Sequence, residues 1–338
     1  MILLLVAAVF VRGGPPVPLP ALVHLPPSGW AKVEHGGIVA VTQGGGKEGV
    51  GFAAAARLHT SRQCFLTDFE DIARFDRGRS VLQIGKFSDP PVPADLAGLT
   101  LEDRDIEDLQ NCRVGHCGVK LSADLIRQLP RAGGVHSAAY SARLNTLFRG
   151  DLLHYVQTYL KGGNRNLMVY SDKSVPVSLA AQFRTILASW QSLDTSAPPL
   201  RQYLDHPGQH PLPPHKQFLY WSKENFGFRP VISITQVVIW ERPGQTWIAS
   251  KQIYASHYFN GSLGLTVLAD ASGDPGGSGA YLLYLNRSNI DVVARSAGGL
   301  YRSVLQTRLK RRVRRRMARI VRGTGSRCRS QGRVAAAD

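Results

Sequence analysis

His257 is the side chain whose setting best suits acid–base chemistry. It lies in Ser250-Lys-Gln-Ile-Tyr-Ala-Ser-His-Tyr-Phe259, a stretch rich in β-branched and aromatic residues. In an alternating strand Ile253, Ala255, His257 and Phe259 share one face, and Gln252, Tyr254, Ser256 and Tyr258 share the other. A histidine among apolar neighbours is most often a satisfied core residue; in a cavity it can also make a polar contact or act as a general base. Lys251, Tyr254 and Arg287 are candidates for the same cavity. Trp221, with Tyr220, Lys223 and Glu224 beside it, is a candidate for the rim, against the plainer reading of an edge strand with a solvated charge pair.

Two other motifs do not carry chemistry. Gly273-Asp-Pro-Gly-Gly277 resembles the serine-protease Gly-Asp-Ser-Gly-Gly signature, but Pro275 stands at the nucleophile position and has no hydroxyl. Gly44-Gly-Gly-Lys47 lacks the spacing of a phosphate loop and the Ser or Thr that would follow its lysine. Both read as turns. No His-Glu-x-x-His is present and the histidines lack metal spacing, so no cofactor is expected.

Cys112 and Cys117 flank Gly115 in Asn111-Cys-Arg-Val-Gly-His-Cys117. In an oxidising compartment they would close a small disulfide loop. Unpaired thiols are the alternative, and a metal site would need more ligands than these two and His116. Cys64 reads as a small buried hydrophobe and Cys328 as part of an unstructured tail. Asn260-Gly-Ser262 and Asn286-Arg-Ser288 fit the glycosylation sequon, which matters only in a eukaryotic secretory route.

The charge is concentrated at one end. Of the formal net +17, residues 300–338 contribute +12, from twelve Arg and one Lys against Asp338. The residues before them carry only about +5. The plainer reading of that terminal element is structural, with its apolar face packed on the sheet and its Arg-rich face solvated; the functional reading adds an anionic partner, on an otherwise mildly basic protein. Arg311, Arg312, Arg315 and Arg316 are the anion-binding candidates. An anionic membrane surface is favoured over nucleic acid, because no aromatic residues interleave with the Arg run. At the other end, Met1–Val11 is an apolar run too short to span a bilayer but long enough for a signal-peptide core. Export to the periplasm or outside the cell is the expectation, with a cytoplasmic protein as the alternative.

These residues must be positioned by elements that the sequence outlines. After a leader over residues 1–25, a short helix near 26–35 precedes strands at 38–42 and 50–58, joined by a glycine-rich turn. Thr60 and Gln63 suggest a capping box for a helix to about Phe75, and a strand covers 80–87. Helical patterns dominate from about 94 to 215, including 123–129, 141–160 and 177–190. Strands return at 218–221, 231–240, 246–258, 263–269 and 280–286. Tyr301, Leu305, Leu309, Val313, Met317 and Ile320 then recur at helical spacing, giving an amphipathic helix over 299–321 ahead of a basic tail over 322–338, read as disordered. Leu305 and Leu309 are the cavity candidates of that stripe.

This order, a hairpin, a helix, a run of strands and a closing helix, resembles the START/SRPBCC superfamily, the helix-grip fold. The stretches Leu219–Pro230 and Ser250–Phe259, with Asn286-Arg-Ser288, are also similar to an uncharacterised group of bacterial exported proteins. The resemblance implies an α+β domain over 26–321: a curved antiparallel sheet gripping a long C-terminal helix, with a helical insertion. It further implies a cavity between sheet and helix that holds an apolar or lipid-like ligand. The alternative use of that cavity is enzymatic, with His257 as acid or base; a second alternative is nucleic-acid binding through the Arg-rich terminus.

Overall fold

The computed structural model describes residues 17–44, 49–130, 137–207, 209–210, 212, 215–227, 229–271 and 279–291, and the backbone of 299–334, with side chains of the last helix over 306–324. The apolar N-terminus, the core of the glycine-rich turn, the Gly273–Gly277 loop and the side chain of Leu305 lie outside the described residues.

Two short helices, α1 (Leu19–Leu22) and α2 (Pro27–Glu34), precede the hairpin of β1 (Val39–Gln43) and β2 (Gly49–Leu58). Helices α3 (Arg62–Glu70) and α4 (Ile72–Phe75) follow, then β3 (Val81–Lys86). Ser61, not Thr60, caps α3: its hydroxyl accepts from the Cys64 amide at 3.2 Å.

The middle of the chain is helical, as its pattern predicts: α5 (Asp103–Gln110), α6 (Ala123–Gln128), α7 (Ala138–Gly162), α8 (Leu179–Ala188), α9 (Gln191–Ser196) and α10 (Pro198–Asp205). A two-residue pair, β4 (Val169–Tyr170) and β5 (Val177–Ser178), interrupts it. Five long strands come next: β6 (His215–Glu224), β7 (Val231–Arg242), β8 (Gln245–Ala255), β9 (Phe259–Asp270) and β10 (Ala280–Ile290). The last helix, α11, runs from Gly299 to Val334, beyond the expected end at 321 and through the segment read as disordered.

Eight strands form one antiparallel sheet in the order β1-β2-β10-β9-β8-β7-β6-β3. The fold is therefore α+β. Both faces of the sheet are covered, which explains its long apolar runs. In β2, Ala53 and Ala55 pack with the helical middle region, while Ala54 and Ala56 pack with α3 and α4. Four small side chains in succession let both layers approach the same strand.

The helical layer presents Phe148, Leu152 and Val156 of α7 and Phe183 of α8 to Trp247, Ala249, Leu263 and Leu265. On the opposite face, Phe65 and Phe69 of α3, Phe75 of α4 and Met317 of α11 meet Ile239, Ile248 and Leu282. Met317 is the buried centre of α11, with Val313, Ile320 and Val321 around it. Among the described residues, no helix is long and apolar enough to cross a membrane.

Candidate functional site: a cavity beneath the last helix

A cavity of about 210 Å³ lies between the sheet and the helices α3, α4 and α11. Its two sides differ in chemistry because strands alternate. On β9, Leu263 and Leu265 point to the helical middle layer, so Ser262, Gly264 and Thr266 point to the cavity. The same alternation sends Ser250 and Gln252 of β8, Ser233 and Thr235 of β7, and Tyr284, Asn286 and Ser288 of β10 to the floor. The helices, the connection after β6 and the start of β9 supply the opposite wall, with Phe65, Phe69, Phe75, Phe226 and Phe259 among its apolar groups.

The floor is partly self-bonded. Ser262 and Ser288 hydroxyls lie 2.7 Å apart, Asn286 Nδ2 donates to Ser262 Oγ at 3.1 Å, and Ser288 Oγ donates to Asn286 Oδ1 at 2.8 Å. Gln252 Oε1 is buried with no hydrogen-bond partner among the described residues. A buried amide oxygen without a donor is costly, and a bound hydroxyl or amide would satisfy it. Neither sequon asparagine is exposed: half-buried Asn286 lines the cavity, and buried Asn260 is bonded to Lys120.

Charge sits at one end of the cavity. Arg316 Nη2 is 2.7 Å from Asp76 Oδ1, and Arg319 approaches the same oxygen at 3.6 Å. The Asp76 carboxylate holds the Arg316 guanidinium protonated, well above its ordinary range. Glu224 accepts from Ser222 Oγ at 3.1 Å and faces Arg312 at 3.8 Å. Burial raises the Glu224 pKa, and the nearby Asp76 charge adds to the rise. Arg312 also lies 4.3 Å over the Phe226 ring.

The sequence candidates separate into different places. Leu309 lines the cavity. Arg312 and Arg316 turn inward to Glu224 and Asp76, so these two anion-binding candidates already hold anions of the protein itself. Arg311 and Arg315 are exposed. Trp221, Lys251, Tyr254 and Arg287 do not line the cavity but belong to the other face. Trp221 donates from Nε1 to the Asp95 carbonyl at 2.7 Å, and Arg287 lies 5.5 Å over the Trp190 ring. Lys223, read as half of a solvated pair, is buried and donates to Glu102 Oε1 at 2.6 Å.

His257 also lies away from the cavity. The expected alternation fails because the β7–β8 register shifts by one residue beside Ile253 and β8 ends at Ala255. Tyr258 then takes a positive φ of 61°. His257 Nε2 is 3.0 Å from Asp105 Oδ1, and Arg229 Nη2 reaches the same oxygen at 2.6 Å. Lys251 is fully buried; its Nζ donates to Asn164 Oδ1 and lies 3.4 Å from the Tyr159 hydroxyl. Burial pushes it down to about 7, against the opposing charge of Asp205. The Tyr254 hydroxyl donates to the Lys120 carbonyl at 3.0 Å. These three groups serve separate partners.

Cys112 and Cys117 form a disulfide. Cys64, read as a buried hydrophobe, is disulfide-bonded as well. Among the described residues, no group of three or more His, Cys, Asp or Glu could hold a metal ion. Comparisons with protein-family models, with curated proteins and with solved structures return no match.

Proposed function

We propose that the protein binds a lipid-like or other amphipathic small molecule in the cavity between its sheet and α11, as the START-like resemblance implies. The observation that carries this reading is the cavity itself, with hydroxyl and amide groups along one side and phenylalanines along the other. A wholly apolar ligand would leave Gln252 Oε1 unsatisfied; a ligand with one polar end and an apolar body fits both walls. The hairpin, the α3 helix, the later strands and the closing helix of that resemblance all pack around this one space. The exposed Arg311 and Arg315 give α11 an outer face suited to anionic headgroups, so that ligand exchange would take place at a membrane surface. Export agrees with the two disulfide-bonded sites.

Organic extraction of the purified protein, followed by mass spectrometry, tests the reading together with Gly264→Leu. A Cβ at Gly264 meets Tyr284 at 3.6 Å and Ser250 at 3.7 Å, which is ordinary contact, so the remaining leucine carbons would fill cavity space. The expected result is a stoichiometric amphipathic ligand in the native protein and at least tenfold less in a folded Gly264→Leu variant. A native protein that yields no ligand and does not bind a fluorescent fatty-acid probe overturns the proposal.

A further inference from the structure

On the face of the sheet away from the cavity, a buried amine lies against a side-chain amide. Lys120 follows the Cys112–Cys117 loop, and its backbone is fixed at both ends. Its amide donates to the Ser256 carbonyl at 2.9 Å, and its own carbonyl accepts from the Tyr254 hydroxyl at 3.0 Å. The residue is only 2% exposed. Its Nζ is 2.8 Å from Asn260 Oδ1 and 2.9 Å from Asp291 Oδ2, and 5.0 Å above the Tyr170 ring. Asn260 stands at the start of β9 and is itself buried; Asp291 directly follows β10.

We propose that Lys120 and Asn260 form an isopeptide bond, with Asp291 carrying the protons, that ties the helical layer covalently to the sheet. The geometry is close to what attack requires. A carbonyl bond is ~1.23 Å long, so Asn260 Cγ lies within about 4.0 Å of Nζ, against ~3–3.5 Å for a near-attack arrangement.

The charges allow the amine to become neutral. Lys173 contacts Asp291 too, and lies 3.8 Å from Asp172. Two lysines thus face two aspartates. Passing one proton from Lys120 to Asp291 removes two buried charges and leaves the Lys173–Asp172 pair intact. Burial lowers the Lys120 pKa, the largest of its influences. Burial also pushes Asp291 up, but Lys120 and Lys173 together hold it below its ordinary value. The neutral pair is therefore a minor state. Loss of ammonia makes the reaction irreversible, so a minor state suffices over the lifetime of the protein.

The step balances without an oxidant or co-reactant. The neutral Nζ attacks Asn260 Cγ and forms the new C–N bond. The Asp291 carboxyl protonates the leaving Nδ2, and the Cγ–Nδ2 bond breaks. Asp291, again a carboxylate, then takes the extra proton from the attacking nitrogen and passes it to the departing ammonia, which leaves as ammonium, so Asp291 ends as a carboxylate. Asn260 is the better acceptor of the two groups that touch Nζ, because a carboxylate held between two lysines resists nucleophilic attack.

Tryptic mapping of the folded wild-type protein, denatured and reduced before digestion, decides the matter. Cleavage after Arg113, Lys120, Arg127, Lys251 and Arg287 would give separate peptides if the amine is free. The expected product is a branched peptide joining residues 114–127 to 252–287, lighter than the sum by one ammonia and uncut at Lys120. Asp291→Asn keeps both partners and should yield the linear peptides. Linear peptides from the wild type, with Asn260 deamidated or not, overturn the proposal. A cross-link from Lys120 to Asp291, lighter by one water, overturns the choice of acceptor. An undiminished bond in Asp291→Asn overturns the role given to Asp291.

Discussion

Lys251 offers a quantitative test of the buried network behind the sheet. Its ammonium would sit under Tyr159 and Phe183, 5.6 and 4.8 Å from the ring centroids, with only neutral oxygens to bond. Burial lowers its pKa from 10.5 to about 7. At ~1.36 kcal/mol per unit, that shift amounts to roughly 5 kcal/mol of stability lost when the group must be charged in the unfolded state but not in the folded one. The sign follows from proton counting. Between about pH 7 and 10.5 the unfolded chain binds the proton that the folded chain rejects, so stability rises with pH in that window. Below pH 7 both states are protonated and the dependence flattens. Lys251→Met keeps the length of the side chain and removes the titration. It also strands the Asn164 oxygen, which costs about 1–3 kcal/mol. The net expectation at pH 7 is a variant about 2–4 kcal/mol more stable than the native protein. Urea denaturation at intervals from pH 6 to 10 measures it. The native protein should gain on the variant by ~1.4 kcal/mol per pH unit above pH 7.5. A difference that does not change with pH over that range would falsify the buried, neutral state of Lys251.

Two further outcomes are expected of the last helix. Asp76→Ala removes the buried carboxylate that faces half-buried Arg316, and should destabilise the protein by about 1–3 kcal/mol in urea. Adding Arg316→Met to Asp76→Ala should recover more than half of that loss; no recovery would mean that Asp76 acts through other partners. Arg311→Glu with Arg315→Glu should abolish sedimentation with phosphatidylserine vesicles at low salt while leaving the melting temperature within 2 °C, since exposed charges contribute about 0–1 kcal/mol. Unchanged vesicle binding would remove the membrane from the functional reading.

Element types were legible because their patterns are local. The stripe Val313, Met317 and Ile320 predicts a helix with one apolar face, and Met317 is buried at its centre. The strands after residue 215 are long apolar runs because both faces of the sheet are covered. Site residues were less legible, for two physical reasons. A one-residue register shift beside Ile253 moves every later side chain to the opposite face, so His257 could not be placed by alternation. The local pattern by itself does not mark Ser262, Thr266 and Ser288 as lining residues; only the helix laid over them turns their face into a cavity floor. Their serine-rich alternation opposite Leu263 and Leu265 was the available signal. The Lys120, Asn260 and Asp291 cluster draws on residues far apart in the chain, which no spacing rule joins.

The two charge populations of α11 follow from the same packing. A helix this rich in arginine gains little by lying on an apolar sheet unless the inward-facing cations meet carboxylates. Asp76 at the end of α4 and Glu224 at the end of β6 supply them, beside the aromatic wall. Pairing at these two points lets Leu309, Val313 and Met317 close over the cavity without burying an unmatched charge. It also holds Arg312 and Arg316 in place, while Arg311 and Arg315 lie exposed on the outer face. An anionic surface that competed for Arg312 or Arg316 would have to displace Glu224 or Asp76, and in doing so would loosen the helix that covers the cavity. Binding at a membrane and opening of the cavity would then be two consequences of one exchange of carboxylates for headgroups.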